Sequence, residues 1–249
     1  MTRISEIMDF FENFAPLSSA DDYDNPGLLV GNKDTEISKV LLALDITSYV
    51  VEEAKEIGAE LIISHHPVIF NPVKSLDAKS PVYLLAKYNI SALCMHTNLD
   101  KSNPGVATAL ANALKLKNQE LHLNDYLIIG ELDKEYTSEE LARYIKEQLN
   151  LSGIKFTKGK DIKRIAVSPG GAGDNIFKLS QYQFDAFITG DMKHHEFIYA
   201  RENNISAYEA GHYNTEHPVI FEIQKLLSKE YNNIDFLIST SDIDPNEYK

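Results

Sequence analysis

Short apolar runs rich in branched side chains alternate, along this 249-residue chain, with stretches whose apolar residues recur at helical spacing. That alternation restricts the chain to a layered α/β fold with largely parallel sheets, because each amphipathic helix must cover the apolar strands it joins. In the first half, "KVLLALD" (39–45), "ELIIS" (60–64) and "ISALCM" (90–95) read as strands. Helices over "TSYVVEEAKEIGA" and "PVYLLAKYN" separate them, and "GVATALANALKL" (105–116) closes the half as a helix. The second half begins with the strand "YLIIGEL" and the helix "TSEELARYIKEQLN". There Thr137 and Glu140 make a capping box, and Leu141, Tyr144, Ile145 and Leu149 line one face. "RIAVS" (164–168), "DAFIT", "ISAYE" and "IDFLIS" follow as strands, with helices over "NIFKLSQYQ", "MKHHEFIYARENN" and "HPVIFEIQKLLSKEY".

The order of elements repeats. Setting Lys39 on Arg164, Leu61 on Phe187 and Ala92 on Ala207 aligns the halves, with about ten residues fewer late in the second copy. The expected fold class is therefore α/β, as two similar domains related by duplication, over residues 1–125 and 126–249. The last helix and strand are free to pack on the first domain.

Composition bounds the function. At 43% hydrophobic and 24% charged, the chain is ordinary for a globular protein. Its single cysteine, Cys94, excludes a disulfide within the chain, reads as a buried thiol and suits a reducing cytosol. The N-terminus has helical periodicity (Ile4, Ile7, Met8, Phe11, Phe14) where a signal peptide would be charged and then apolar. No apolar run approaches the roughly 20 residues of a membrane span, so no membrane partner and a cytoplasmic location are expected. A net charge of −13 argues against a nucleic-acid binder that neutralises phosphate over its whole surface. Net charge is silent on a local basic patch.

Three segments gather metal-competent side chains at strand ends: "SHHP" (His65, His66), "HTNLD" (His96, Asp100) and "GHYNTE" (His212, Glu216). Adjacent residues in a strand point to opposite faces, so His65 and His66 can serve one site only if the strand has ended, which Pro67 favours. A helix beginning near Tyr213 would place His212 and Glu216 one turn apart on one face. Singly, each segment has a plain reading: surface histidines, or Asn98, Asp100 and Asn214 as caps. Their coincidence at the carboxyl ends of strands, where open α/β sheets collect ligands, points to metal. Three imidazoles and two carboxylates exceed the three or four ligands of a single zinc site and suit two divalent ions: zinc, iron or manganese. Such a pair lowers the pKa of water to about 7, which makes hydrolysis or deamination of an anionic or nucleotide-like substrate the natural chemistry. Asp24 and Asn25 in "YDNPGLLVGN" read as turn formers, and "SPGGAGDN" as a loop whose amides can cradle phosphate. His194 and His195 open a helix, and the tail "STSDIDPNEYK" reads as solvated.

"YDNPGLLVG", "SHHP", "MHTNLD", "GGAG", "ITGDMKHHE" and "GHYNTE", in this order across nearly the whole chain, resemble the Nif-three-like dinuclear-metal-centre proteins. Members of that family are often called GTP cyclohydrolase 1 type 2 homologues. The resemblance implies two three-layer α/β domains related by duplication, a metal pair in the cleft between them and a toroidal homohexamer. It implies five ligands: His66 and Asp100 on one ion, His65 and His212 on the other, and Glu216 bridging. The chain resembles the short form of the family, and Tyr23 stands where the first motif commonly has tryptophan. The activity implied is a metal-dependent hydrolase of the GTP cyclohydrolase kind. The ligand set itself then points to metal-bound hydroxide as the nucleophile, with His96 or His194 expected to shuttle protons. The alternative is a ring-shaped scaffold for protein or nucleic-acid partners.

Overall fold

The apolar runs do form strands, and the computed structural model, which describes residues 2–247, gathers them into two units. The first unit runs to Gly105 and takes in Ile220–Ile243; the second comprises Val106–Val219 and the residues from Asp244. Residues 106–125, expected in the first domain, thus lie in the second unit, and most of the last helix with its strand lies in the first.

In the first unit, β1 (Thr2–Arg3) and β3 (Glu36–Ile37) form a small antiparallel pair beside α1 (Ile4–Glu12). The main sheet contains β2 (Gly27–Val30), β4 (Lys39–Ala43), β5 (Leu61–Ser64), β6 (Ser91–Cys94) and, from the far end of the chain, β13 (Asp235–Ile238). Its order is β13-β4-β5-β6-β2, parallel except for β2. Leu41, Ala43, Ile62 and Ala92 pack against α2 (Ser48–Ile57) and α3 (Pro81–Tyr88), through Val50, Ala54, Leu84 and Leu85. The alternate strand residues Val40, Leu42, Ile63 and Leu93 are equally buried. Both faces are thus covered, which is why these strands read as continuous apolar runs. The short helix α4 (Thr97–Asp100) follows β6.

The second unit repeats this plan. β7 (Lys117–His122), β8 (Leu127–Tyr136), β9 (Lys155–Phe156), β10 (Ile162–Ser168), β11 (Ala186–Thr189) and β12 (Ser206–Glu209) form a sheet of order β7-β8-β10-β11-β12-β9. Packing partners alternate along its strands. Ile165, Val167, Ile188 and Tyr208 pack with residues of α5 (Val106–Ala113) and α6 (Ser138–Leu149), whereas Ala166, Phe187 and Ala207 pack with Ile176, Leu179 and Ala200 of α7 (His194–Glu202). Helices α8 (His212–Glu216) and α9 (Pro218–Glu230) follow β12.

Each unit therefore has three consecutive parallel strands, β4-β5-β6 and β10-β11-β12, with an antiparallel edge strand beside the third. The ladders set Val40–Leu61–Ser91 against Ile165–Ala186–Ser206. Leu61 thus corresponds to Ala186, one residue from the expected Phe187. Residues 65–90 join β5 to β6 and residues 190–205 join β11 to β12, which is the ten-residue difference.

The helix expected over 175–183 is instead a pair of 3₁₀ turns, Gly173–Phe177 and Leu179–Gln181. The Asn175 amide donates to the Asp125 carbonyl and the Ser168 hydroxyl, which competes with helix continuation, and the buried Ile176 and Leu179 sit three apart. β7 gave no signal in the sequence because, as a sheet edge with no residue fully buried, it is polar ("KNQELH"). The acidic tail is not simply solvated. Ser239 and Asp242 are buried, and the Asp242 carboxylate accepts a hydrogen bond from the Leu44 amide at 2.5 Å. No helix among the described residues is long and apolar enough to cross a membrane.

Candidate metal centre

β5 ends at Ser64, whose hydroxyl donates to the His66 carbonyl (2.8 Å) and turns the chain. The strand has therefore stopped before the two histidines, and their rings lie 4.9 Å apart. His96, just beyond β6, completes a trio, its ring 5.1 Å from His65 and 5.6 Å from His66. One nitrogen from each of the three can be chosen so that all lie within 4.8 Å of one another. Asp100 joins them, with Oδ1 3.7 Å from Nε2 of the fully buried His65.

Every one of these rings is anchored through Nδ1. His65 donates to the Met95 carbonyl (2.9 Å), His66 to Asp45 (2.9 Å) and His96 to Asp24 (2.7 Å). A carbonyl or carboxylate can only accept, so Nδ1 carries the proton and Nε2 keeps a lone pair. Asp24, expected only to shape a turn, is wholly enclosed and also accepts from the Thr97 amide (3.0 Å) and hydroxyl (2.5 Å). Burial works against its charge, yet hydrogen bonds from His96 and Thr97 prevail and hold its carboxyl below the usual range. Asn25 braces the neighbouring loop, its amide donating to the Ile69 carbonyl (2.6 Å).

In the second unit, α8 begins after Gly211, whose φ of 84° turns the chain out of β12. His212 and Glu216 then stand one turn apart, with His212 Nε2 3.1 Å from a Glu216 oxygen and Nδ1 2.6 Å from Asp191. Hydrogen bonds to Asp191 and Glu216 push the His212 imidazole up to about 10, so these carboxylates attract a positive charge. The glycine loop expected to cradle phosphate has a tighter purpose. Gly170, at φ 63°, lies where a Cβ would overlap the Glu216 carboxylate, and its amide donates to the Thr215 hydroxyl (3.0 Å). Glycine is needed there for close approach.

His194 is exposed at the first position of α7 and belongs to no donor cluster among the described residues. His195 is exposed too and stacks on Phe177. The nearby buried Glu196 caps α7 by accepting from the Lys193 amide (2.7 Å). Sequence reasoning missed Asp45 and Asp191. The available signal was a carboxylate just past a strand end, in "LALD" and "ITGD".

These donors fit divalent cations. Imidazoles that ligate metal nearly always donate their other ring nitrogen to a carboxylate or carbonyl, and His65, His66, His96 and His212 all do so. Fold and donors together define a class: α/β proteins with a repeated sheet plan and candidate His and carboxylate metal-binding groups at strand ends. The chain belongs to the family described as Duf34/NIF3 (NGG1p interacting factor 3), whose profile matches residues 2–247. It is 33% identical to a GTP cyclohydrolase 1 type 2 homolog of Campylobacter jejuni and 30% identical to one of Clostridium perfringens, each over 99% of both chains. Its fold superposes on the crystal structure of a Staphylococcus aureus hypothetical protein with a TM-score of 0.93, at 31% identity and 99% coverage of both chains.

Proposed function

We propose that His65, His66, Asp100, His212 and Glu216 hold two divalent cations and that the protein is a metal-dependent hydrolase acting on a nucleotide-like substrate. One observation carries the reading: four imidazoles, each locked through Nδ1, present Nε2 at strand ends beside carboxylates. His65 is fully buried, where a positive charge would be costly, whereas a neutral ring with a fixed tautomer is a ready ligand. Bound cations would polarise a substrate oxygen and bring the pKa of water to about 7.

The chain's own groups supply the rest. Asp24 holds the His96 ring through Nδ1, which leaves Nε2 as the atom that would take a proton and return it to a leaving group. The names of the relatives make GTP the first substrate to try. The expected result is that His65→Ala abolishes GTP hydrolysis and bound metal, measured by elemental analysis, while circular dichroism stays native. Turnover equal to the unsubstituted protein would reject the reading. Assembly into a hexameric ring belongs to the same proposal. Light scattering tests it: a mass about six times 28.0 kDa is expected, and a monomer would reject it.

A further inference from the structure

Tyr23 is 66% exposed and Phe70 45%, and their rings lie 6.5 Å apart, tilted by 52°. Phe70 then meets His96 edge to face at 6.4 Å and 83°. An aromatic edge thus leads from solvent to the imidazole trio. Large apolar side chains exposed singly are ordinary, but two in contact beside a polar cluster make a continuous apolar surface of the kind that lines a ligand groove. Both are held in place. The Asn25 amide ties the turn after Tyr23 to the Ile69 carbonyl, next to Phe70, and Tyr23 hydrogen-bonds Asp21. Phe70 opens a segment, 70–79, in which every residue is exposed, within the connection that is ten residues longer than its counterpart after β11.

We propose that Tyr23 and Phe70 form a stacking wall that receives the planar heteroaromatic ring of the substrate and sets it beside His96. The proposal rests on the hydrolase reading above and adds the part of the substrate that is recognised. Three features favour a ring over a protein partner. The two aromatics are tilted, so they present faces and edges; Phe70 abuts the His96 imidazole and Tyr23 the Asp21 carboxylate, polar groups that suit a heteroaromatic ring; and every base has a π-face to offer them. A protein partner using the same segment would draw on Val73 and Leu76, which are also exposed.

The chain contains no tryptophan, so Phe70→Trp places a single tryptophan in the wall, excited selectively at wavelengths beyond the absorption of the tyrosines. Its emission should be quenched saturably by guanosine monophosphate and not by ribose 5-phosphate. By calorimetry, Phe70→Ala should weaken guanosine monophosphate binding about tenfold or more, on the scale of base–aromatic stacking, with zinc bound per chain unchanged. The double variant Val73→Ser/Leu76→Ser should bind the nucleotide normally. Equal quenching by ribose 5-phosphate, unchanged affinity in Phe70→Ala, or no nucleotide binding at millimolar concentration would overturn the wall. Loss of affinity in the Val73/Leu76 variant would do the same. A wild-type protein that takes up no zinc would defeat the metal reading alone, because the quenching arm still judges the wall.

Discussion

Four histidines are made into presentable donors by four acceptors, and two of those acceptors, Asp45 and Asp191, are themselves short-range neighbours of a strand end. Asp24 is the most enclosed carboxylate of the set, and its contacts give a sharp expectation at the residue scale. In Asp24→Asn, an amide replaces an acceptor that serves His96, the Thr97 amide and the Thr97 hydroxyl. The loss should be about 1–3 kcal/mol in a urea unfolding experiment, the range for stranding buried hydrogen-bonding groups. The same substitution should move the His96 proton from Nδ1 toward Nε2, which the ¹⁵N shifts of the imidazole report. Gly170→Ala tests the other unit. A Cβ there overlaps Glu216, so metal affinity measured by competition with a chelating dye should fall at least about tenfold while the melting temperature changes modestly. "HHP" and "GH…E" were legible as donors because their residue types are rare and clustered. The role of Gly170 was not, since nothing local tells an anion-binding glycine from one that makes room for a carboxylate 46 residues later.

Elements that carry their own start and stop signals matched expectation closely. α6 begins at the Thr137–Glu140 capping box, as expected, whereas α2, read through to Ala59, stops at Ile57 because Gly58 enters the left-handed region. The segment after β13 behaves differently. Glu53 on α2 accepts hydrogen bonds from the Ser239 hydroxyl (2.5 Å), the Thr240 amide (2.9 Å) and hydroxyl (2.8 Å), and the Ser241 amide (3.0 Å). Burial raises its pKa, but these bonds outweigh it and bring the carboxyl to about 2, below its ordinary 4.5. A depressed carboxylate pKa means that its stabilisation is complete above about 4.5 and fades as pH falls toward about 2. Amide exchange at Thr240 and Ser241 should therefore accelerate in acid across that window. In Glu53→Gln the exchange should be faster at neutral pH and lose that pH dependence. The pattern "STSDID" held no trace of this, because the partner lies 186 residues or more away.

At the scale of the whole molecule, the first unit is closed by the end of the chain. β13 pairs in parallel with β4, and the Leu44 amide reaches Asp242 across 198 residues. A chain stopped after Asn233 would lose the buried Phe236 and leave the β4 edge unpaired. It should be at least about 3 kcal/mol less stable, the cost of removing one large buried side chain, and hydrogen exchange should show loss of protection at the β4 amides that face β13 while those paired with β5 stay protected.

The sequence alone determined the alternation of strands and helices, the duplicated order, the ends of the strongest helices and the residue types able to bind metal. These follow from periodicity, caps and composition, which act over a few residues. Only the tertiary structure decided that Asp24 orients His96, that Gly170 yields space to Glu216, that 175–183 turns as 3₁₀, and that the last strand belongs to the first sheet. Each depends on which distant groups come within hydrogen-bonding or van der Waals reach. That is settled by packing across the sheet, where sequence separation has no bearing on distance.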